Sequence, residues 1–182
     1  MRVAFLGGSF DPPHMGHLFL AVAALSSQAV ERVLVVPCFA HPLGAKSPVA
    51  FEHRMEMARL AFMPLESMVE VSDIESRLES PSRTFNTLVE LKRRNPHWSL
   101  RLLVGADIPQ QRSSWYRIDD VEAMAPPLVF GRGGVDSPET GLVLPEVSSS
   151  DVRRRLRDGL PLMNLVPLSV EQYVNEHGLY RE

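Results

Sequence analysis

Cysteine is almost absent: among 182 residues only Cys38 carries a thiol. A lone cysteine has no partner for an internal disulfide, which argues against a stapled secreted scaffold. With no charged-then-apolar leader at the N-terminus, a reducing cytoplasm is the expected location. Long hydrophobic runs are missing too. The longest apolar stretch, Leu18 to Leu25, falls far short of the roughly 20 residues a membrane span requires. Nor is there an excess of positive charge. Nineteen Lys and Arg against 22 Asp and Glu give a net charge of -3 at pH 7, which argues against a nucleic-acid surface but permits a small local phosphate site. The histidines lack the spacing of a zinc site, and there is no internal repeat or low-complexity segment. What remains is 45% hydrophobic and 23% charged, a balance suited to one compact domain over residues 1–182 that buries roughly 70% of its unfolded surface.

Periodicity places the elements. Arg2 to Leu6 is a short apolar run that stops at Gly7 and Gly8, as a buried parallel strand does on entering a tight turn. Gly16 to Ala29 has helical spacing, Arg32 to Val36 is a β-branched strand stopped by Pro37, and Phe51 to Phe62 is amphipathic. Val69 to Val71 forms a third strand. Thr84 to Arg94 is a helix with its cations correctly at the C-terminal end, and Ser99 to Val104 is a strand ending at Gly105. Further on come a short helix at Asp119 to Ala125, a strand at Leu128 to Phe130, a turn-rich loop from Gly131 to Gly141 and a strand at Leu142 to Leu144. Helices at Ser150 to Arg157 and Ser169 to Glu176 close the chain. This alternation predicts an α/β fold: a single Rossmann-like, doubly wound, mainly parallel sheet with helices on both faces and a C-terminal helical segment. Ligands of such sheets sit beyond the strands' carboxyl ends where strand order reverses, so the turns at Gly7 and Gly105 are the places to search.

The first of these turns reads Gly7-Gly8-Ser9-Phe10-Asp11-Pro12-Pro13-His14-Met15-Gly16-His17. Glycines allow close approach, prolines fix the loop, and the following helix offers free N–H groups and its positive dipole end to an anion. It is neither a P-loop nor a GxGxxG turn. His14 and His17, three apart with Gly16 leaving open space between them, fall on one side of the first helical turn. There both imidazoles can donate to phosphate oxygens as charge develops. An isolated HxxH is more often a helix cap beside a surface histidine; the glycine and proline frame is what favours the chemical role.

Elsewhere the signals are thinner. Ser148 or Ser149 is a candidate N-cap for a helix rich in hydroxyls, with Ser150 in its first turn, and the Arg153 fork suits a phosphate. Arg154, Arg155 and Arg157 read as solvated. Gly105 permits a ligand to pass close to the backbone, and Asp107 either accepts from ribose or adenine donors, joins a metal's outer shell, or simply caps a helix. Cys38, His97 and Trp98 read as structure or surface.

The N-terminal loop resembles the HxGH signature of a nucleotidyltransferase superfamily, in the GG(S/T)FDPxHxGH form of bacterial nicotinate-nucleotide adenylyltransferases. The resemblance covers most of the chain. Val36-Pro37 with His53-Arg54-Met55 is similar to that family's IP loop and HRxxM helix, Arg83-Thr84-Phe85-Asn86-Thr87-Leu88 to its YTxxTL, and Gly105-Ala106-Asp107 to its GxD. Trp115-Tyr116 resembles a tryptophan-centred substrate site, Ser148-Ser149-Ser150-Asp151-Val152-Arg153 resembles ISSTxIR, and Tyr173 to Tyr180 resembles the ending YIxxxxLY.

The resemblance implies transfer of the adenylyl group of ATP to nicotinate mononucleotide, releasing pyrophosphate, with His14 and His17 as the catalytic donors. It implies that Gly7, Gly8, Ser9, Phe10, Gly105, Asp107, Ser148, Ser149, Ser150 and Arg153 join them around ATP, and that Lys46, Arg83, Thr84, Trp115 and Tyr116 meet the acceptor. Mg²⁺ is expected to arrive mainly on ATP rather than in a protein cage. Two departures stand out. His41-Pro42-Leu43-Gly44-Ala45-Lys46 replaces the family's PPHK or PPHR, and Arg83 replaces an aromatic residue, either to pair with an anionic substrate group or to face away. The alternatives are an adenylyltransferase for nicotinamide mononucleotide or phosphopantetheine, and a non-catalytic ATP-binding regulatory module. Trp115-Tyr116 and the SFDPxHxGH form weigh against phosphopantetheine. Oligomeric state is left open.

Overall fold

The computed structural model describes residues 1–41, 49–106, 115–132 and 143–181. Six parallel strands form one sheet: β1 (Arg2–Gly8), β2 (Arg32–Pro37), β3 (Val69–Val71), β4 (Ser99–Gly105), β5 (Pro127–Arg132) and β6 (Val143–Leu144). Their order, β3-β2-β1-β4-β5-β6, is the doubly wound arrangement, with reversal between β1 and β4. The helices are α1 (Met15–Ser26), α2 (Phe51–Phe62), α3 (Thr84–Arg94), α4 (Ile118–Met124), α5 (Ser149–Arg157) and α6 (Leu168–Glu176). No helix among the described residues is long and apolar enough to cross a membrane.

The strands bury both faces, so their side chains sort alternately into two cores. Ala4, Leu6, Val33, Val35 and Leu103 pack against α1, α2, α5 and α6 through residues such as Leu20, Met57, Val152 and Val170. Val3, Phe5, Leu34, Val36, Leu102 and Val104 pack instead against α3 and α4 through Leu88, Leu91 and Val121. Trp98 and Trp115 lie at the margin of this second core.

Several predicted boundaries shift for identifiable reasons. Strand β1 runs on through both glycines because Gly7 and Gly8 pair with Val36 and Pro37 of β2. Helix α1 stops at Ser26 rather than Ala29: the Ser27 hydroxyl donates to the Ala24 carbonyl, and Gln28 takes a left-handed φ of 57°. Gly131 and Arg132, expected in a loop, extend β5, and β6 begins at Val143. The remainder of that loop, and Leu142, lie outside the described residues.

The registers open a crevice. The ladder between β1 and β4 ends at Phe5↔Leu102, whereas that between β1 and β2 continues to Gly8↔Pro37. Past Phe5 the chain leaves β4 but stays paired with β2 to Gly8, and the loop from Ser9 to His14 follows directly.

Candidate active site

His14 occupies the N-cap of α1 in extended conformation (φ −141°, ψ 170°), with His17 three residues on. The His14 N–H donates to His17 Nδ1 at 3.1 Å, and the rings stack with centroids 3.8 Å apart. A neutral imidazole that accepts at Nδ1 must carry its proton on Nε2, so this bond fixes His17 as an Nε2–H donor. The space at Gly16 is not open as the sequence implied. A Cβ there would lie 3.0 Å from the His14 ring, which fills it; glycine is needed to seat the histidine itself.

Phe10 has a left-handed φ of 49° and a fully buried ring, 4.7 Å from His17 and 6.4 Å from Phe62 between centroids. A bulky residue in that region costs on the order of 1–3 kcal/mol and persists only where its surroundings over-determine it. Phe10 therefore offers a ligand its backbone alone; the ring supports His17. At Gly7 a Cβ would strike the Phe5 ring at 2.8 Å.

The C-terminal motif folds onto this loop. Ser148 is the N-cap of α5, its hydroxyl accepting from the Asp151 N–H at 3.2 Å. Ser149 Oγ donates to the Pro12 carbonyl at 2.9 Å. Arg153 Nη1 donates to the Asp11 carbonyl at 2.6 Å and Nη2 to Ser150 Oγ at 3.4 Å. Arg153 and both histidines thus belong to a single loop-and-helix unit. Arg154 and Arg157 are exposed as expected, although Arg154 pairs with Asp151; Arg155 is not simply solvated, because it binds Asp151 at 3.0 Å and the Pro161 carbonyl at 3.1 Å. Those two guanidiniums hold the Asp151 carboxyl below its ordinary range.

Thr84 opens α3 and Arg83 is its N-cap. The Arg83 guanidinium lies 4.5 Å over the Tyr116 ring, Phe85 meets Tyr116 edge-on at 6.1 Å, and Arg117 covers Phe85 at 3.9 Å. Arg83 thus stacks on an exposed aromatic ring. Gly105 is buried at the end of β4, while Lys46 and Asp107 lie outside the described residues.

Two buried charges had no role assigned from the sequence. Arg54, named there only as part of His53-Arg54-Met55, is 4% exposed. Its Nη1 donates to the Ser9 carbonyl at 2.8 Å and to the Cys38 carbonyl at 2.7 Å, and its Nε to the Val49 carbonyl at 3.3 Å. It ties the loop after β1 to the loop after β2. Glu75 accepts from the Phe39 N–H at 3.1 Å and the Thr87 hydroxyl at 3.0 Å, joining the second loop to α3. Burial and the Glu75 carboxylate push the Cys38 thiol up to about 11. The available signal for Arg54 was its place next to Met55 on the apolar stripe of the helix.

A doubly wound sheet with an HxGH turn at its switch point and an arginine-bearing helix on the same loop defines a nucleotidyltransferase. The cytidylyltransferase-like family matches residues 5–155. The chain is 42% identical over 99% of its length, and 97% of the relative's, to a protein of Anaeromyxobacter sp. (strain K) named "Probable nicotinate-nucleotide adenylyltransferase". It is 36% identical to a Myxococcus xanthus protein of the same name, over 99% of this chain and 95% of that one. Its fold is similar to that of a Plasmodium falciparum nicotinic acid mononucleotide adenylyltransferase solved in complex with NaAD, with a TM-score of 0.82, 19% identity and coverage of 98% and 97% of the two chains. Within the cytidylyltransferase-like class, the chain belongs to the nicotinate-nucleotide adenylyltransferase family.

Proposed function

We propose that this protein transfers the adenylyl group of ATP to nicotinate mononucleotide. A phosphate oxygen of the acceptor attacks the α-phosphorus, the bond to the β-phosphate oxygen breaks, and pyrophosphate leaves with the electron pair. The attacking phosphate is already an anion, so no general base and no covalent intermediate are needed; the rate comes from positioning and from neutralising oxygens in flight. His14 and His17 donate to the phosphates and Arg153 offsets their charge. Gly7, Gly8, Ser9, Phe10 through its backbone, Ser148, Ser149, Ser150, Gly105 and Asp107 complete the ATP side. Thr84, Arg83, Trp115, Tyr116 and Lys46 take the acceptor.

The observation that carries this function is the stacked His14–His17 pair at the mouth of the β1/β4 crevice, on the loop that Arg153 grips. Among the described residues no group of three or more His, Cys, Asp or Glu is placed to hold a metal. Mg²⁺ carried by the nucleotide suits hard oxygen ligands and would supply charge neutralisation on the triphosphate. The test is pyrophosphate release from ATP with nicotinate mononucleotide, nicotinamide mononucleotide and phosphopantetheine in turn, with and without excess EDTA. Release should be fastest with the nicotinate acceptor and should stop in EDTA. Release with phosphopantetheine alone, or ATP binding without turnover, would replace this function with one of its alternatives.

A further inference from the structure

The stretch from Tyr173 to Tyr180 takes no part in the chemistry above, yet it reaches the centre of the phosphate side. After α6 the chain turns through Gly178 and Tyr180, both with left-handed φ (61° and 64°), and the Leu179 N–H donates to the Val174 carbonyl at 3.0 Å. A tyrosine in that conformation is strained and must be held by what it touches. Tyr180 is buried, and its O–H donates to Asp11 Oδ1 at 2.6 Å. Asp11 is buried as well. Its other carboxylate oxygen lies 3.7 Å from Arg153 Nη1, the same nitrogen that donates to the Asp11 main-chain carbonyl.

Two donors therefore share one buried carboxylate. A carboxylate out of water must find hydrogen bonds for its lone pairs, and the strongest donor at hand is the Arg153 guanidinium. At 3.7 Å Asp11 and Arg153 form a loose ion pair; drawn in to hydrogen-bonding distance, the guanidinium would turn toward Asp11 and away from a phosphate. The phenol meets the carboxylate without bringing a charge of its own. Burial and the Asp11 carboxylate push the Tyr180 hydroxyl far above its ordinary range, so it remains a donor throughout the working pH. We infer that Tyr180 is a positioning residue for the ATP phosphates: by satisfying Asp11 with a neutral hydroxyl, it keeps the loose Arg153–Asp11 ion pair from tightening into a hydrogen-bonded one that would take the guanidinium from the phosphates. This rests on the adenylyl-transfer function proposed above and adds a role for the chain's last motif.

Tyr180→Phe keeps the ring and removes the hydroxyl alone. ATP affinity, measured by calorimetry with Mg²⁺ and without acceptor, is expected to fall roughly 10-fold, and KM for ATP to rise by a similar factor, the scale of one charge-assisted contact. KM for nicotinate mononucleotide should not change. In an Asp11→Asn background, where no carboxylate competes for Arg153, adding Tyr180→Phe should change ATP affinity by less than about twofold. A tyrosine serving only to hold the fold would lower Tm and leave ATP affinity below the unfolding range at its wild-type value, which overturns the inference. So does an additive loss in the double variant. Should Tyr180→Phe fold poorly, Asp11→Asn decides, since it removes the competing carboxylate and keeps the phenol: ATP affinity at or above the wild-type value supports the role, and a roughly 10-fold loss sinks it. Wild-type turnover separates the two levels. No pyrophosphate release with any acceptor defeats adenylyl transfer, whereas normal wild-type turnover with unchanged ATP affinity in Tyr180→Phe defeats only the role of Tyr180.

Discussion

On the phosphate side of the crevice, side-chain donors end on main-chain carbonyls: Arg54 on Ser9, Ser149 on Pro12, Arg153 on Asp11. On the side proposed for the acceptor, rings and guanidiniums lie face against face, Arg83 on Tyr116 and Arg117 on Phe85. The two kinds of construction respond differently to change. A carbonyl is present whatever the side chain, so a loop held by its carbonyls keeps its shape while neighbouring residues vary. A stack of exposed and half-buried side chains depends on every member and shifts when one is exchanged. The phosphate side is therefore suited to a reaction common to many acceptors, and the acceptor side to choosing among them.

The sharpest test of that contrast is His17→Ala. It should leave folding intact and lower turnover by roughly 10²- to 10⁴-fold, the range for losing a transition-state donor, with KM for the acceptor unchanged. His14→Ala should cost as much in rate and also lower Tm, because the buried ring caps α1. If both variants kept more than about a tenth of wild-type turnover, the phosphate side would have no catalytic pair.

Next comes acceptor choice. A site made of N–H and guanidinium donors welcomes the carboxylate of nicotinate, whereas the NH₂ of nicotinamide sets donor against donor. Each group left unsatisfied costs about 1–3 kcal/mol, and the charge contribution is lost as well. Preference for the acid is expected at about 10²-fold or more in kcat/KM, read from side-by-side kinetics on the two mononucleotides. Equal efficiency would erase the division of labour between the two sides. Arg83→Ala should shrink that ratio while KM for ATP stays put; parallel movement of both KM values would mean that the sides are not independent.

Arg54 belongs to both. Arg54→Met preserves the stem but strips donors from three carbonyls, an expected loss of about 3–5 kcal/mol, or roughly 10 °C in Tm for a chain of this size. Both KM values should rise together in this variant. A variant as stable as wild type would show that the two loops are braced elsewhere.

The smallest effect concerns Cys38, which lies between Arg54 and Glu75. With its thiol pushed up to about 11, it should react with a disulfide reagent at pH 8 at least about 10-fold more slowly than free cysteine. Because the folded state holds that proton more tightly than the unfolded chain does, stability should fall slightly as pH rises from about 9 to about 11. Fast labelling at pH 8 would place the thiol in open solvent.

How far the sequence could be read follows the same division. The strands and most helices were legible because their signals are local: α2, α3 and β3 fall where periodicity and punctuation put them. The histidine pair was legible because glycine and proline frame it within a few residues. The roles of Arg54, Glu75 and the Tyr180–Asp11 bond were not, because each rests on partners that only the fold brings together; Arg54 alone had a local signal, its place on the apolar stripe of α2. Gly16 was misread for a related reason: the missing Cβ leaves room, and only the fold shows that His14 fills it. The stacking of Arg83 on Tyr116 joins segments 33 residues apart, a neighbour that periodicity cannot supply.

Asp11 and Tyr180 are separated by 169 positions. At roughly 5–20 residues per second of synthesis, the HxGH loop leaves the ribosome some ten to thirty seconds before the residue that completes its surroundings. Pairing β1 with β4 also has to wait, since the partner strand begins at Ser99. Such distant pairings make folding slower than local ones do. The loop that carries the histidine signature is thus made long before the tyrosine that binds its Asp11, and a growing or truncated chain can carry the whole signature without that support.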